Sequence, residues 1–318
     1  VHRGEDHDGA SLACKLQYPD MASAVESDIG QLQAILGVVK SFGRIVDPSE
    51  IGVEIAERLR EELDYEREAK HMALYRAMLG PDSAIQTPTP MPALTTKRLL
   101  TMSWLDGRPL RSFLDADQAT RNHIATLLFK AWWGPLSRYG VLHGDPHLGN
   151  YTFTDDGARL NLLDFGCVRV FPSSFVEGVV KLRNALRDGD DAGVRDAYRI
   201  WGFDSLTDGA VEALTIWARF IYGPMLEDRV RPVAEGVSPG EYGRSEVRQV
   251  KDMLRVHGPV VIPREFVFMD RAAIGLGSAF LYLRAELNFC ALFDAEVDGF
   301  EPAKLAQRQA RALADVGL

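Results

Sequence analysis

The chain has 318 residues, 46% of them hydrophobic and 25% charged, an ordinary globular composition long enough for one large or two moderate cores. Its 36 basic and 45 acidic residues leave a net charge of −9, which argues against nucleic acid as the main partner. Three scattered cysteines, Cys14, Cys167 and Cys290, read as reduced thiols of a cytosolic compartment. No apolar run approaches the roughly 18–20 residues that span a bilayer, and no signal peptide opens the chain. It begins Val1-His2-Arg3 without a methionine, as a piece of a longer protein would.

Residues 1–18 predict the tail of one strand, a turn at Asp8-Gly9, and a second strand from Ser11 to Gln17. Lys15 lies inside that otherwise apolar strand. It is either an edge lysine facing water or a lysine reaching phosphates from a central strand. Met21 to about Phe42 is helical, with Ile29, Leu32, Ile35, Leu36 and Val39 on one stripe. Asp47-Pro48-Ser49-Glu50 is a helix start, with Asp47 as the cap and Pro48 in the first turn. Ile51, Ile55, Leu59 and Leu63 then repeat every four residues, which predicts one long helix to about Leu79, stopped by Gly80-Pro81. Its acids include Glu61, Glu62, Asp64, Glu66 and Glu68. Most such residues make a solvated face, and spacing alone does not separate Glu62 from Glu68 as the partner of a phosphate-binding lysine.

Residues 81–96 carry four prolines and read as loop with one short strand. Lys97 to Ser103 is a strand, and Asp106-Gly107 breaks it, so the chain divides into residues 1–103 and 104–318. A nucleotide base would pack in the cleft between two such units. Residues 117–139 form an apolar helix through Ile124, Leu127, Leu128, Trp132 and Leu136.

The chemistry concentrates in residues 141–169. Tyr151–Thr154 and Arg159–Leu163 are strand-like around the turn Asp155-Asp156-Gly157, so a hairpin brings its flanking loops together. One loop holds Asp145 and Asn150 and the other holds Asp164. These oxygens, with no Lys or Arg among them in sequence, suit a hard divalent cation such as Mg2+ arriving on phosphates. The layout is that of a kinase-like phosphoryl-transfer site, with Asp145 facing the acceptor and Asn150 and Asp164 on the metal. His143 and His147 have zinc-like spacing, but Gly144 and Pro146 disfavour the helix that spacing requires. Asn150-Tyr151-Thr152 matches a glycosylation acceptor without any other mark of secretion. Beyond Arg169 the chain predicts helices at about 173–187, 190–201, 206–228, 244–255, 263–287 and 302–315. Arg195, Arg199, Arg229 and Arg231 read as solvated, with a substrate- or lipid-facing patch as the sharper alternative.

Four stretches carry a resemblance to the AarF/UbiB family of atypical protein-kinase-like proteins of quinone biosynthesis. They are Val1 through Pro19 around Lys15, Glu62-Leu63-Asp64-Tyr65-Glu66-Arg67-Glu68-Ala69, His143 to Asn150 with Asp164-Phe165-Gly166, and Met269 through Phe289. The resemblance implies an α+β, protein-kinase-like two-lobed fold, with a small β-containing N-lobe with long helices and a larger, mostly helical C-lobe. It implies ATP and Mg2+ as cofactors, Lys15 paired with Glu68, and Asp145 at the catalytic place. Asn150 and Asp164 would be the metal ligands. Glu62 and Asp64 match a regulatory Glu-x-Asp pair that engages a lysine of an N-terminal extension, expected before Val1 together with an Ala-rich phosphate loop. Ser103 replaces a usual glutamate in the lobe linker, and Leu148 a usual proline. The C-terminal membrane segments of some members have no counterpart, so membrane contact is expected to be peripheral.

Three functions follow. The first is an ATP- and Mg2+-dependent ATPase or phosphotransferase supporting ubiquinone or related lipid metabolism, with quinone or isoprenoid lipids or quinone-biosynthesis proteins as partners. The second is an aminoglycoside- or choline-type small-molecule phosphotransferase, which shares His-Gly-Asp and the asparagine five residues on. The third is a nucleotide-binding pseudokinase scaffold.

Overall fold

The structure, a computed structural model, describes residues 1–42, 49–81, 83–203, 205–257, 260, 263 and 265–318. The first strand, β1 (His2–Glu5), turns through Gly9 (φ 81°) into β2 (Ser11–Leu16). Asp6 pins the turn by accepting from the backbone N–H groups of Asp8 and Ala10. Helices α1 (Met21–Phe42) and α2 (Ser49–Glu61) pack together, burying Ile29 and Ala56. The expected cap Asp47 and helix start Pro48 lie outside the described residues.

The single helix expected up to Leu79 is two. The chain breaks at Glu62–Asp64, and α3 (Tyr65–Leu79) starts afresh with Asp64 as its cap. Asp64 Oδ1 accepts from Arg67 N at 3.0 Å, and Gln17 Nε2 donates to the Leu63 carbonyl at 2.6 Å. The apolar repeat runs through the break because a cap and a bond from the first sheet make it, rather than Gly or Pro. Gly80, at φ 76°, ends α3 as expected.

Next come β3 (Ile85–Gln86), β4 (Leu99–Ser103) and β5 (Arg108–Pro109). The antiparallel sheet β1-β2-β4 places Lys15 on its central strand, opposite Leu100. Helix α4 (Gln118–Tyr139) is capped by Asp117, which accepts from Thr120 N at 2.8 Å, and it closes on left-handed Gly140. Its Ile124, Leu128, Phe129, Trp132 and Leu136 are buried, so it forms the spine of the second half.

Strands β6 (Val141–His143), β7 (Tyr151–Phe153), β8 (Leu160–Leu162) and β9 (Val168–Val170) follow. The expected hairpin is β7–β8, pairing Tyr151 with Leu162, with left-handed Gly157 in its turn. It sits in a sheet of order β3-β8-β7-β5, while β6 pairs antiparallel with β9.

The remainder is helical: α5 (Ser173–Asp188), α6 (Asp191–Ile200), α7 (Asp208–Tyr222), α8 (Arg244–His257), α9 (Glu265–Leu283), α10 (Phe289–Val297) and α11 (Pro302–Val316). The helix expected over 206–228 ends at Tyr222 and passes into a 3-10 turn, Gly223–Met225. The one expected over 263–287 stops at Leu283. Arg284 then adopts φ 49°, and Asn288 caps the unforeseen α10 by accepting from Ala291 N at 3.0 Å. Side chains of α4 take the freed backbone groups, Gln118 donating to Arg284 O and Asn122 accepting from Glu286 N. Packing against α4, α9, α10 and α11 thus share one core with it. The chain is a mixed α+β fold, with a small sheet-containing N-terminal region ahead of a mostly helical remainder.

Candidate active site

Two ladders hold the chemistry-bearing loops. At one end β7–β8 joins them, with Leu163 N donating to Asn150 O at 3.0 Å. At the other, β6–β9 joins them, with Gly144 N donating to Cys167 O at 2.6 Å. Residues 144–150 and 163–167 therefore lie side by side, each fixed at both ends. The second ladder was not expected, and the alternation of Val168-Arg169-Val170 does not announce it, because Val168 and Arg169 are buried while Val170 is exposed.

The sequence-predicted residues converge. Lys15 Nζ lies 3.0 Å from both Glu68 oxygens and 3.1 Å from Asp164 Oδ2. Glu68 is 2% exposed on the face of α3 that also buries Tyr65, His71, Met72 and Tyr75, and its Oε1 accepts from Phe165 N at 3.4 Å. The choice between Glu62 and Glu68 is thus resolved by burial: Glu68 holds the lysine. Burial alone would lower the Lys15 pKa, but Glu68 and then Asp164 outweigh it and hold the ammonium charged. Burial and the neighbouring Asp164 push Glu68 above the usual carboxylate range, against the pull of Lys15. Asp164 goes the other way: burial would raise it, but Lys15 and the Gly166 N–H, donating to Oδ1 at 3.0 Å, hold it low.

Asp145 and Asn150 meet across the loop, Asn150 Nδ2 donating to Asp145 Oδ2 at 2.8 Å. The asparagine is thereby oriented with its amide nitrogen on Asp145, leaving the carbonyl oxygen for a cation. Glu62 and Asp64, expected as a pair, part company. Asp64 caps α3, while Glu62 stands beside the cleft, its pKa raised by burial and then by Asp164. His143 is buried, its pKa lowered by that burial, and its Nε2 contacts the Asp164 carbonyl. His147 is exposed and its Nδ1 accepts from Gly149 N, so the zinc spacing is coincidental.

A hydrophobic column ties α3 to this centre. Phe165 is fully buried, its ring 5.4 Å from Tyr75 and 5.9 Å from His143, and His71 Nδ1 lies 3.3 Å from the Phe165 carbonyl. Arg169, also buried, reaches Glu61 at the end of α2 at 3.3 Å. One further residue was not anticipated as part of the site. Arg271 of α9 donates from Nη2 to Asp145 Oδ1 at 2.7 Å. No local pattern marks it, because 126 residues separate the two.

Four carboxylates, Glu62, Glu68, Asp145 and Asp164, face two cations, Lys15 and Arg271. Fully ionised, the cluster keeps two negative charges uncompensated. Among the described residues no three His, Cys, Asp or Glu side chains form a metal cage of their own. One carboxylate and one amide oxygen on facing loops are nevertheless a fitting donor set for Mg2+, which keeps waters and shares its remaining positions with phosphate oxygens.

Ser103 has its hydroxyl committed, accepting from Thr89 N at 2.8 Å. Ser103 lines a cavity of about 300 Å³ together with Arg76, Leu79 and Thr87, and this cavity does not include Lys15. Arg195, Arg199 and Arg229 are exposed and each pairs with a nearby acid, which fits the solvated reading better than a substrate- or lipid-facing patch. Arg231 also pairs with Glu227 but is only 17% exposed, so the solvated reading does not hold for it.

Residues 1–198 match the family described as the ABC1 atypical kinase-like domain. Over 225 residues the chain is 33% identical to the Danio rerio protein named atypical kinase COQ8B, mitochondrial, covering 68% of this chain and 36% of that one. It is 26% identical over 176 residues to the Saccharomyces cerevisiae atypical kinase COQ8, mitochondrial, covering 55% and 35% of the two. A Xenopus laevis AarF domain-containing protein kinase 1 is 24% identical over 281 residues, 85% of this chain and 52% of that one. The chain thus spans between a third and about half the length of these relatives. Among solved structures it is similar to Mycobacterium tuberculosis Rv3197, determined with erythromycin, at TM-score 0.67 and 22% identity over 94% of this chain and 74% of that one. That likeness is one of fold.

Proposed function

The chain belongs to the ABC1 atypical kinase-like family, and from that premise we propose that it is an ATP- and Mg2+-dependent phosphotransferase or ATPase. The observation that carries the reading is Lys15 held between buried Glu68 and Asp164, with Asp145 and Asn150 bonded to each other on the adjoining loop.

Each residue has a task that follows from its surroundings. Glu68 is buried and anchored by the Phe165 N–H, so it is the fixed partner that aims the Lys15 ammonium. Asp164 is the exchangeable partner: its side chain is 34% exposed, and it can trade the ammonium for a divalent cation. Asn150, oriented by Asp145, offers its carbonyl oxygen to the same cation. Mg2+, when bound there on nucleotide phosphates, would neutralise charge on the transferring group. Asp145 faces the acceptor and would take its proton, a positional role in a reaction where placement and charge do most of the work. Glu62 stands at the cleft where a cation from outside residues 1–318 would meet it, whereas Asp64 acts through the α3 cap.

We further divide the chain functionally into residues 1–103, which supply Lys15 and Glu68, and 104–318, which supply the loops. The family resemblance points to ubiquinone or related lipid metabolism, with quinone or isoprenoid lipids, or the proteins that make them, as partners. Among the described residues no helix is long and apolar enough to cross a membrane. We place any membrane contact at the surface, and the mitochondrial names of the COQ8 relatives bear on compartment by analogy.

ADP formation from Mg-ATP by the chain and by Asp145→Asn tests the reading. Loss of a positioned base costs ~10²–10⁴ in rate. Turnover unchanged in the variant would refute the assignment of Asp145.

A further inference from the structure

Both oxygens of Asp145 are occupied. Oδ2 accepts from Asn150, its neighbour in the loop, and Oδ1 accepts from Arg271, a residue of the helical half. The second bond is a built feature of α9. A Cβ at Gly275 would lie 2.2 Å from Pro146 Cγ and 2.3 Å from Pro146 Cβ, so the helix rests on Pro146 only because position 275 has no side chain. Positions 271 and 275 are one turn apart on the same helix face. Seating Gly275 on Pro146 therefore sets Arg271 over the preceding residue, Asp145.

The pair also sits where a substrate would arrive. The Arg271 side chain is 57% exposed and that of Asp145 is 26% exposed. An ion pair this open to water is weak, and its arginine exchanges readily for another anion. Guanidinium groups bind phosphates and carboxylates through paired N–H donors.

We propose that Arg271 selects the acceptor: it covers Asp145 until an anionic group on the acceptor, a phosphate or carboxylate, draws it away and exposes the carboxylate. The substrate class is then a small alcohol bearing an anion. Its hydroxyl oxygen bonds to the γ-phosphorus, the bond from that phosphorus to the β-bridging oxygen breaks to leave ADP, and the hydroxyl proton passes to Asp145. This rests on the kinase-like reading of the site.

The test uses sn-glycerol 3-phosphate against uncharged glycerol, on the chain, Arg271→Ala and Arg271→Lys. ADP formation from Mg-ATP and calorimetric binding of glycerol 3-phosphate are the two readouts. Glycerol 3-phosphate should bind the chain and raise its turnover, and glycerol should do neither. Arg271→Ala should bind the anion about tenfold more weakly or worse, with a matching rise in KM, because one charge-assisted bond is lost. Its turnover without acceptor should exceed that of the parent, since Asp145 is uncovered. Arg271→Lys keeps the charge and should fall between.

Equal affinity in the parent and Arg271→Ala, or no anion binding by either, overturns the proposal. Thermal stabilisation by Mg-ATP separates the two levels of failure. If all three proteins are stabilised and handle the anion alike, only the role of Arg271 fails. If none is stabilised, the reading of the site fails and takes the proposal with it.

Discussion

Replacing Lys15 by Met keeps the length and much of the apolar stem of the side chain but removes the charge that Glu68 faces. Glu68 is 2% exposed, and besides Lys15 the charge that acts on it is Asp164, of the same sign. A carboxylate so placed binds a proton rather than staying charged. From an ordinary pKa of about 4.3, holding that proton at pH 7 costs at most ~3.7 kcal/mol, at 1.36 kcal/mol per unit. At pH 5 the same ceiling is ~1 kcal/mol. The sign follows from linkage: the variant binds a proton on folding that the unfolded chain lacks, so its deficit grows as pH rises above about 4.3. We expect a loss of about 2–4 kcal/mol at pH 7, in line with breaking a buried pair. For a chain of 318 residues that is roughly 3–6 °C in Tm, shrinking to about 1.5 °C at pH 5. Urea unfolding at pH 5, 6 and 7 measures it. Lys15→Met with Glu68→Gln should recover most of the loss, because no carboxylate is left unpaired at that position. A deficit independent of pH, or a double variant no better than the single one, would refute the electrostatic account.

Other perturbations read other parts of the frame. Asp64→Ala should cost ~1 kcal/mol by uncapping α3, visible as a lower urea midpoint, and leave the Lys15–Glu68 pair intact. His71 is held down to about 4, by burial first and by Arg67 next, so below its ordinary 6.5 the unfolded chain takes up a proton that the folded chain refuses. Stability should therefore fall by up to about 3 kcal/mol as pH drops from 6.5 to 4, and His71→Asn should flatten that slope in pH-resolved unfolding. Gly275→Ala forces a methyl group against the Pro146 ring, and an overpacked contact costs ~1–3 kcal/mol; its Tm should drop and acceptor-dependent turnover should change.

What the sequence showed and hid follows physical lines. The hairpin, the α4 helix between Asp117 and Gly140, and the adjacency of the loops that carry Asp145, Asn150 and Asp164 are encoded locally, by turn residues, caps and short spacings. The placement of Lys15 on a central strand was open, because a three-stranded sheet is decided by its pairing with Leu99–Ser103, more than eighty residues away. The break before Tyr65 and the turn at Arg284 were missed for a shared reason. In both, groups from elsewhere in the chain, Gln17 in one and Gln118 and Asn122 in the other, take the backbone groups that a continuing helix would have used. Glu68 could not be told from Glu62 by periodicity, since the break between them resets the helical phase. Arg271 over Asp145 had no local signature at all.

The most direct measurement is thermal unfolding with saturating ATP, with and without Mg2+, on the chain and on Asp164→Asn. A ligand at about 100 times its Kd stabilises the folded state by roughly 2.7 kcal/mol, a shift of several degrees. The account predicts that this shift requires Mg2+ and disappears in Asp164→Asn. A shift of equal size without Mg2+, or one that survives the substitution, would contradict it.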